Sequence, residues 1–269
     1  MDRRSLLLRK KILETFACGG RGHPASALSL VEIMRVLYDD VLRYDPADPH
    51  WPERDRCLLS KGHGCLALYV LLADKGFFPE HELEKFCMAG GLLGGHPEYG
   101  RVHGVEASTG SLGHGPSIGV GFALNARIDR LNYRVFVILG DGEINEGSVW
   151  EAALSAGKHA LDNMVFIIDY NKMQSFGPVD TVQPLEPLAD KWRAFGCAVI
   201  EVDGHSVTEL QRVLSRLPLQ GGKPTAVICH TVKGKGIREM EDNLSWHHKS
   251  GFDEGEIAAM ISRLEDCRA

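Results

Sequence analysis

Two short polar turns carry the residues best suited to chemistry in this chain. One is Gly140-Asp141-Gly142-Glu143, running on to Glu146-Gly147; the other is Tyr170-Asn171-Lys172. Each follows an apolar, β-branched run, Val135 to Leu139 and Met164 to Ile168, so each falls where a strand would end. Asp141 offers a carboxylate oxygen and Asn171 an amide oxygen. Hard oxygen donors of this kind suit Mg²⁺, and the neighbouring glycine N–H groups suit a diphosphate that shares the ion. Two side chains do not complete the near-octahedral shell of Mg²⁺. Diphosphate oxygens, a water and a backbone carbonyl just beyond Asn171, with Met173 the candidate, would complete it. A Gly-Asp-Gly alone is as readily a structural turn; its pairing with Asn171 gives the metal reading its weight.

The histidines form a second set. They recur beside glycine in Gly22-His23-Pro24, Gly62-His63-Gly64, Gly95-His96-Pro97, His103-Gly104 and Gly113-His114-Gly115, and again in Trp246-His247-His248. One such histidine would be solvated surface. Several suggest a polar pocket in which imidazoles bind hydroxyl or phosphate groups and move protons near neutral pH. A zinc site competes poorly, because the helical i, i+3 or i, i+4 ligand spacing is missing and no cysteine lies suitably close.

Elements that would position these residues follow from the hydrophobic pattern. Helical spacing marks residues 5–17, 26–37 and 63–75, with a short strand at 57–59 and an Asp- and Pro-rich loop over 45–55. Residues 89–115 hold nine glycines and little periodicity, and read as a binding loop. From residue 118 helices and strands alternate: strands at 134–139, 164–169, 197–202 and 225–230, helices at 118–130, 148–160, 185–195 and 206–217. This predicts an α/β fold, a mostly parallel central sheet with helices on both faces, whose ligands bind beyond the carboxyl ends of the strands. Asp141, Asn171, Asp203 and His230 fall there.

The chain has 269 residues, 44% of them hydrophobic, enough for a full core in one domain over 1–269. A formal net charge of −6 without a basic stripe argues against nucleic acid. Seven unpatterned cysteines read as reduced thiols, and no apolar run approaches the roughly 18 residues of a membrane span, so a cytoplasmic protein with no membrane partner is expected.

In order and spacing these motifs resemble the amino-terminal, diphosphate-binding part of the transketolase family. The resemblance rests on Gly22-His23-Pro24, Leu59-Ser60-Lys61-Gly62-His63-Gly64, Gly94-Gly95-His96-Pro97-Glu98, Thr109-Gly110-Ser111-Leu112-Gly113-His114-Gly115, the Gly-Asp-Gly turn, Asp169-Tyr170-Asn171-Lys172, Lys233-Gly234-Lys235-Gly236 and Trp246-His247. It implies a thiamine-diphosphate-binding fold and Mg²⁺ held by Asp141, Asn171 and the Met173 carbonyl. His63, Gly142 and His247 would contact the cofactor's diphosphate, Gly110 and Leu112 would lie against its aminopyrimidine, and Ser111, Gly140 and Glu143 would also bind the cofactor. His23, His96 and His247 would line the sugar channel as catalytic residues. Glu146 matches an acidic position near a subunit interface, or is simply a carboxylate favoured at a helix N-terminus. The chain departs from the family pattern at Ala25, Ala27, Pro116 and His248.

The resemblance further implies a two-carbon ketol transfer from a ketose or ketose phosphate to an aldose acceptor. The family's pyrimidine-binding and carboxyl-terminal domains are expected on a separate chain of roughly 300 residues, a size ordinary for two small domains, in a heterotetramer with two copies of each. Alternatives are a 2-oxo-acid dehydrogenase alpha-type or deoxyxylulose-phosphate-synthase-like subunit, and a non-catalytic scaffold. A Mg²⁺-dependent phosphohydrolase would need a nucleophilic Asp on a different strand-end pattern.

Overall fold

The computed structural model describes residues 1–247, 249–251 and 253–266. Five parallel strands form the central sheet: β2 (Arg56–Leu59), β3 (Val135–Gly140), β4 (Met164–Tyr170), β5 (Ala198–Asp203) and β6 (Thr225–His230), in spatial order β2-β3-β4-β6-β5. A separate two-residue antiparallel ladder joins β1 (Arg21–Gly22) to β7 (Lys249–Ser250). The helices are α1 (Arg3–Gly19), α2 (Pro24–Leu28), α3 (Val31–Val36), α4 (Cys65–Asp74), α5 (His114–Ile128), α6 (Gly147–Lys158), α7 (Val179–Val182), α8 (Leu188–Ala194), α9 (Val207–Leu214) and α10 (Glu254–Asp266).

Why the sheet is covered on both faces can be read residue by residue. Val135, Val137 and Leu139 of β3 join one core, whereas Phe136 and Ile138 join the other. In β4, Phe166 and Ile168 oppose Val165 and Ile167 in the same way. Side chains alternate across a strand, so a continuous apolar run is a strand buried twice. Helices α1 to α4, α9 and α10 cover the first face, and α5 to α8 cover the second. Each fully buried large apolar side chain contributes roughly 1.5–3 kcal/mol, which anchors the strand ends from which the polar turns project.

The expected strands are present. One expected helix is not continuous: residues 26–37 divide into α2 and α3, and a π-turn, Leu37–Val41, follows. Pro24 starts α2 at its first turn, where a missing N–H costs nothing. The break falls at Ser29, whose hydroxyl donates to Asp169 Oδ2 at 2.6 Å under the sheet's carboxyl edge. A polar contact with the site thus overrides the helical period. Helix α10 lies beyond the expected elements; Ile257, Met260 and Leu264 seat it in the first core at ordinary helical spacing. Among the described residues no helix is long and apolar enough to cross a membrane.

Candidate cofactor and metal site

The carboxyl ends of β2, β3, β4 and β6 lie side by side and project Lys61, Asp141, Asn171 and Thr231 into one region. At its centre is a buried ion pair. Lys61 Nζ sits 2.5 Å from Asp169 Oδ2, and both side chains are fully buried. Ser29, Thr231 and the Asn171 amide also donate to Asp169. Burial alone would push Asp169 up, but the Lys61 charge and these hydrogen bonds hold its carboxyl low. Because the Asn171 Nδ2 is spent on Asp169 at 3.3 Å, the amide is oriented and Oδ1 is left as the acceptor end.

Asp141 is different. Burial and the neighbouring Asp169 charge push its carboxyl up to about 7, against the opposing pull of Lys61 and the N–H groups of Gly142 and Lys172. A carboxylate so poorly compensated is electrostatically prepared for a cation. Asn171 Oδ1 accepts from Met173 N at 3.1 Å, which folds the chain back and brings Met173 to the same cavity. Among the described residues no group of three His, Cys, Asp or Glu side chains could hold a metal. One carboxylate, one amide oxygen and one carbonyl suit instead a hard ion whose remaining ligands arrive with a diphosphate.

These residues line a cavity of about 270 Å³. Its walls include every position that the resemblance assigned to metal, cofactor or catalysis except Ser111, namely His23, His63, His96, Gly110, Leu112, Gly140, Asp141, Gly142, Glu143, Asn171, Met173 and His247; the strand-end residues Asp203 and His230 do not line it. Ser111 does not line it and its side chain is exposed. Glu143 reaches the wall with its carboxylate already engaged: it accepts from Ser60 Oγ, Gly113 N and Gly140 N at 2.5, 2.9 and 3.1 Å. It fixes the turn after β3 against the 109–113 loop. Gly110 shows why that loop needs glycine. Its φ is +141°, and a Cβ there would stand 3.2 Å from the His96 ring.

Four histidines far apart in sequence converge. The His23 ring centroid lies 5.5 Å from that of His63, 6.4 Å from His96 and 6.1 Å from His247. His23 Nδ1 contacts the His247 carbonyl at 2.7 Å, so Nδ1 carries the proton and Nε2 is the acceptor of the neutral ring. Lys233 Nζ donates to His247 Nδ1, so the neutral His247 ring presents Nε2–H as its donor. The cluster therefore holds both an acceptor and a donor. Burial, reinforced by Lys61, lowers His63 well below its ordinary range, and burial lowers His96. His103 lies beside His50, and His114 is exposed at the start of α5; neither lines the cavity.

Sequence reasoning missed two functional lysines as individuals, although both lie in motifs it singled out. Lys61 anchors Asp169, and Lys233 reaches both His247 and the Met173 carbonyl at 3.4 Å. Burial and the Lys61 charge, opposed by Asp141 and Asp169, bring Lys233 down to about 8. The signal was position: a lysine just beyond an apolar strand end is buried where the strand is. Of the departures, Ala25 and Ala27 are fully buried core, and Pro116 sits in the first turn of α5, where its missing N–H donor costs no intrahelical hydrogen bond. His248 lies outside the described residues. Glu146 is the exposed N-cap residue of α6 and makes no side-chain cap hydrogen bond.

Comparison with known proteins bears on this geometry. Residues 7–265 match the family model for the transketolase thiamine diphosphate binding domain. The chain is 42% identical over 259 residues to the 6-deoxy-6-sulfo-D-fructose transketolase subunit SqwG of Clostridium sp. (strain MSTE9), covering 96% of this chain and 94% of that one. It is 39% identical to an apulose-4-phosphate transketolase subunit of Phocaeicola vulgatus, covering 96% and 93%. Human transketolase is 40% identical over 90% of this chain, but the match spans only 38% of the human protein. The structure superposes on transketolase from Leishmania mexicana with a TM-score of 0.89 at 29% identity, covering 98% of this chain and 41% of that one. The α/β fold, the converging histidines and the Asp141–Asn171 pair thus have one explanation: the chain belongs to the transketolase family, as its thiamine diphosphate binding domain.

Proposed function

We propose that this chain is the cofactor-binding subunit of a split transketolase that uses thiamine diphosphate and Mg²⁺. The observation that carries the reading is the single cavity shared by Asp141, Asn171, the Met173 carbonyl and four histidines. Asp141, Asn171 and the Met173 carbonyl would hold Mg²⁺. His63, His247 and the turn from Gly140 to Glu143 would hold the diphosphate end, with the carboxylate of Glu143 bracing that turn. Gly110 and Leu112 would meet the aminopyrimidine. When bound, the cofactor supplies the nucleophilic carbon that takes up a two-carbon ketol fragment. His23 would accept a proton at a sugar hydroxyl through Nε2, His247 would donate one through Nε2–H, and His96 would orient the substrate as a neutral ring. Four imidazoles fit a polyhydroxylated sugar better than a small 2-oxo acid.

A partner chain is part of the proposal. The relatives matched along almost their whole length are named as subunits, whereas full-length transketolases are matched over about two fifths. The partner would carry the pyrimidine-binding and carboxyl-terminal domains, roughly 300 residues by ordinary domain sizes, in a heterotetramer. The six described cysteines are all free, which suits a reducing cytoplasm. The test is reconstitution: this chain, the partner, thiamine diphosphate, Mg²⁺ and a panel of ketoses that includes phosphorylated, branched and sulfonated sugars. Ketol transfer is expected only when both chains are present. Turnover by this chain alone at ordinary enzyme rates would sink the split reading.

A further inference from the structure

The turn after β4 that carries Asn171 and Met173 continues as a tight hairpin. Met173 bridges Pro178, Gln174 N donates to Gly177 O at 2.8 Å, and Val179 N donates to Lys172 O at 2.9 Å. Three consecutive hairpin residues, Met173, Gln174 and Ser175, line the 270 Å³ cavity. The Gln174 side chain lies against the turn after β3: a Cβ at Gly142 would stand 3.0 Å from its Cγ and 3.3 Å from its Cδ. A bare backbone at 142 is what lets the two turns close on one another. The end of the Gln174 side chain is unspent. Among the described residues six buried side-chain nitrogen or oxygen atoms make no hydrogen bond, and of these only Gln174 Nε2 belongs to a residue that lines the cavity. A buried donor without an acceptor is a standing cost to a fold. The two lysines of the cavity are turned elsewhere, Lys61 to Asp169 and the Ser26 carbonyl, Lys233 to His247 and the Met173 carbonyl.

We propose that Gln174 is a further cofactor-binding residue, its Nε2–H donating to a diphosphate oxygen of thiamine diphosphate beside Gly142. This rests on the cofactor reading and adds a residue to it. An amide N–H is drawn to oxygen acceptors and cannot ligate a cation, so the group that satisfies it is the anion and not the metal. A hydrogen bond to a charged oxygen is also the stronger kind. The hairpin joins the two tasks. Met173 is the expected carbonyl ligand and Gln174 follows it directly, so one pinned turn would grip the ion and the diphosphate through adjacent residues. The amide orients the diphosphate without adding a charge to a site whose cation is the metal.

The test is calorimetric titration of thiamine diphosphate, with Mg²⁺ present, into the reconstituted complex carrying wild type, Q174M or Q174E. Methionine keeps the length of the side chain and removes the donor. The expected result for Q174M is a rise in Kd of roughly 10- to 100-fold, the range for a lost hydrogen bond to a charged group. Q174E places a carboxylate against the diphosphate and should bind more weakly still. Its deficit relative to wild type should shrink as the pH is lowered, because a protonated carboxyl donates again, whereas the deficit of Q174M should not. A purely structural role for Gln174 would give no such recovery. Q174M within twofold of wild type overturns the proposal, and so does a Q174E that binds no more weakly than Q174M or shows no recovery in acid. If the wild-type complex binds no thiamine diphosphate, the cofactor reading fails on its own. Titration of inorganic diphosphate with Mg²⁺ into the same complexes then decides the residue: binding that Q174M weakens sustains the proposal, and binding that is absent or unaffected overturns it.

Discussion

Two buried charge clusters tie the first face of the sheet together, and they are balanced in opposite ways. In one, Glu32 accepts from both Arg9 guanidinium ends at 2.6 and 2.9 Å and from His205 Nδ1 at 2.9 Å. Burial would raise its carboxyl, but His205 and Arg9 outweigh that and hold it down at about 2. In the other, Lys61 outweighs burial at Asp169 but offsets it only in part at the neighbouring Asp141, which burial and the Asp169 charge leave near 7. The first cluster is saturated: every charge has a partner, and its work is to join α1 and α3 to the loop after β5. The second holds two carboxylates, Asp141 and Asp169, beside one buried lysine in hydrogen-bond contact with Asp169. A fold that pairs Glu32 with two cations gives Asp141 only two backbone N–H donors and a share of Lys61, the environment in which a carboxylate favours a cationic ligand.

Breaking each cluster should separate the two roles. Lys61→Met leaves Asp169 buried without its cation, and we expect a loss of about 4 kcal/mol, in the range for truncating a buried pair, together with weakened cofactor binding. Denaturant unfolding and cofactor titration measure the two effects; a stable variant with unchanged affinity would contradict the role given to Lys61. Glu32→Gln should cost about 3 kcal/mol and leave cofactor affinity as it was. If the affinity also falls, the contrast between the clusters collapses. The smallest effect is local: Gly110→Ala must adopt a φ of +141° and meet the His96 ring, so cofactor affinity should drop by roughly five- to thirty-fold for a strain of about 1–2 kcal/mol. An alanine variant that binds as well as wild type would show that the loop relaxes freely.

The saturated cluster also fixes a pH dependence. Glu32 lies at about 2 in the folded protein against an ordinary 4.5, so the folded state favours its charged form. Its contribution is whole above about 4.5 and drains away as pH falls towards 2, an acid limb worth about 3 kcal/mol by linkage. Glu32→Gln should flatten that limb. An unchanged acid limb in the variant would assign acid lability to other carboxylates.

What the sequence made legible follows from the range of the physics. The strands and the Asp141 and Asn171 turns were legible because apolar runs and glycine punctuation are local signals. The four site histidines were legible as a set, but their convergence was not, since His23 and His247 meet only through the β1–β7 ladder between chain positions far apart. The break at Ser29 was hidden because its cause, Asp169, is a long-range partner. Lys61 and Lys233 stood in quoted motifs without a role of their own; burial beside carboxylates is a tertiary fact. Ser111, a cofactor-binding position by the resemblance alone, is exposed, since adjacent loop positions face different ways.

The account turns on Asp141 as a ligand of Mg²⁺. The most direct test is calorimetric titration of the reconstituted complex with thiamine diphosphate, with and without Mg²⁺, for wild type and Asp141→Ala. We predict tight binding by wild type only when Mg²⁺ is present, and weak, Mg²⁺-independent binding by the variant. Equal affinity in the two proteins, or wild-type affinity indifferent to Mg²⁺, would contradict it.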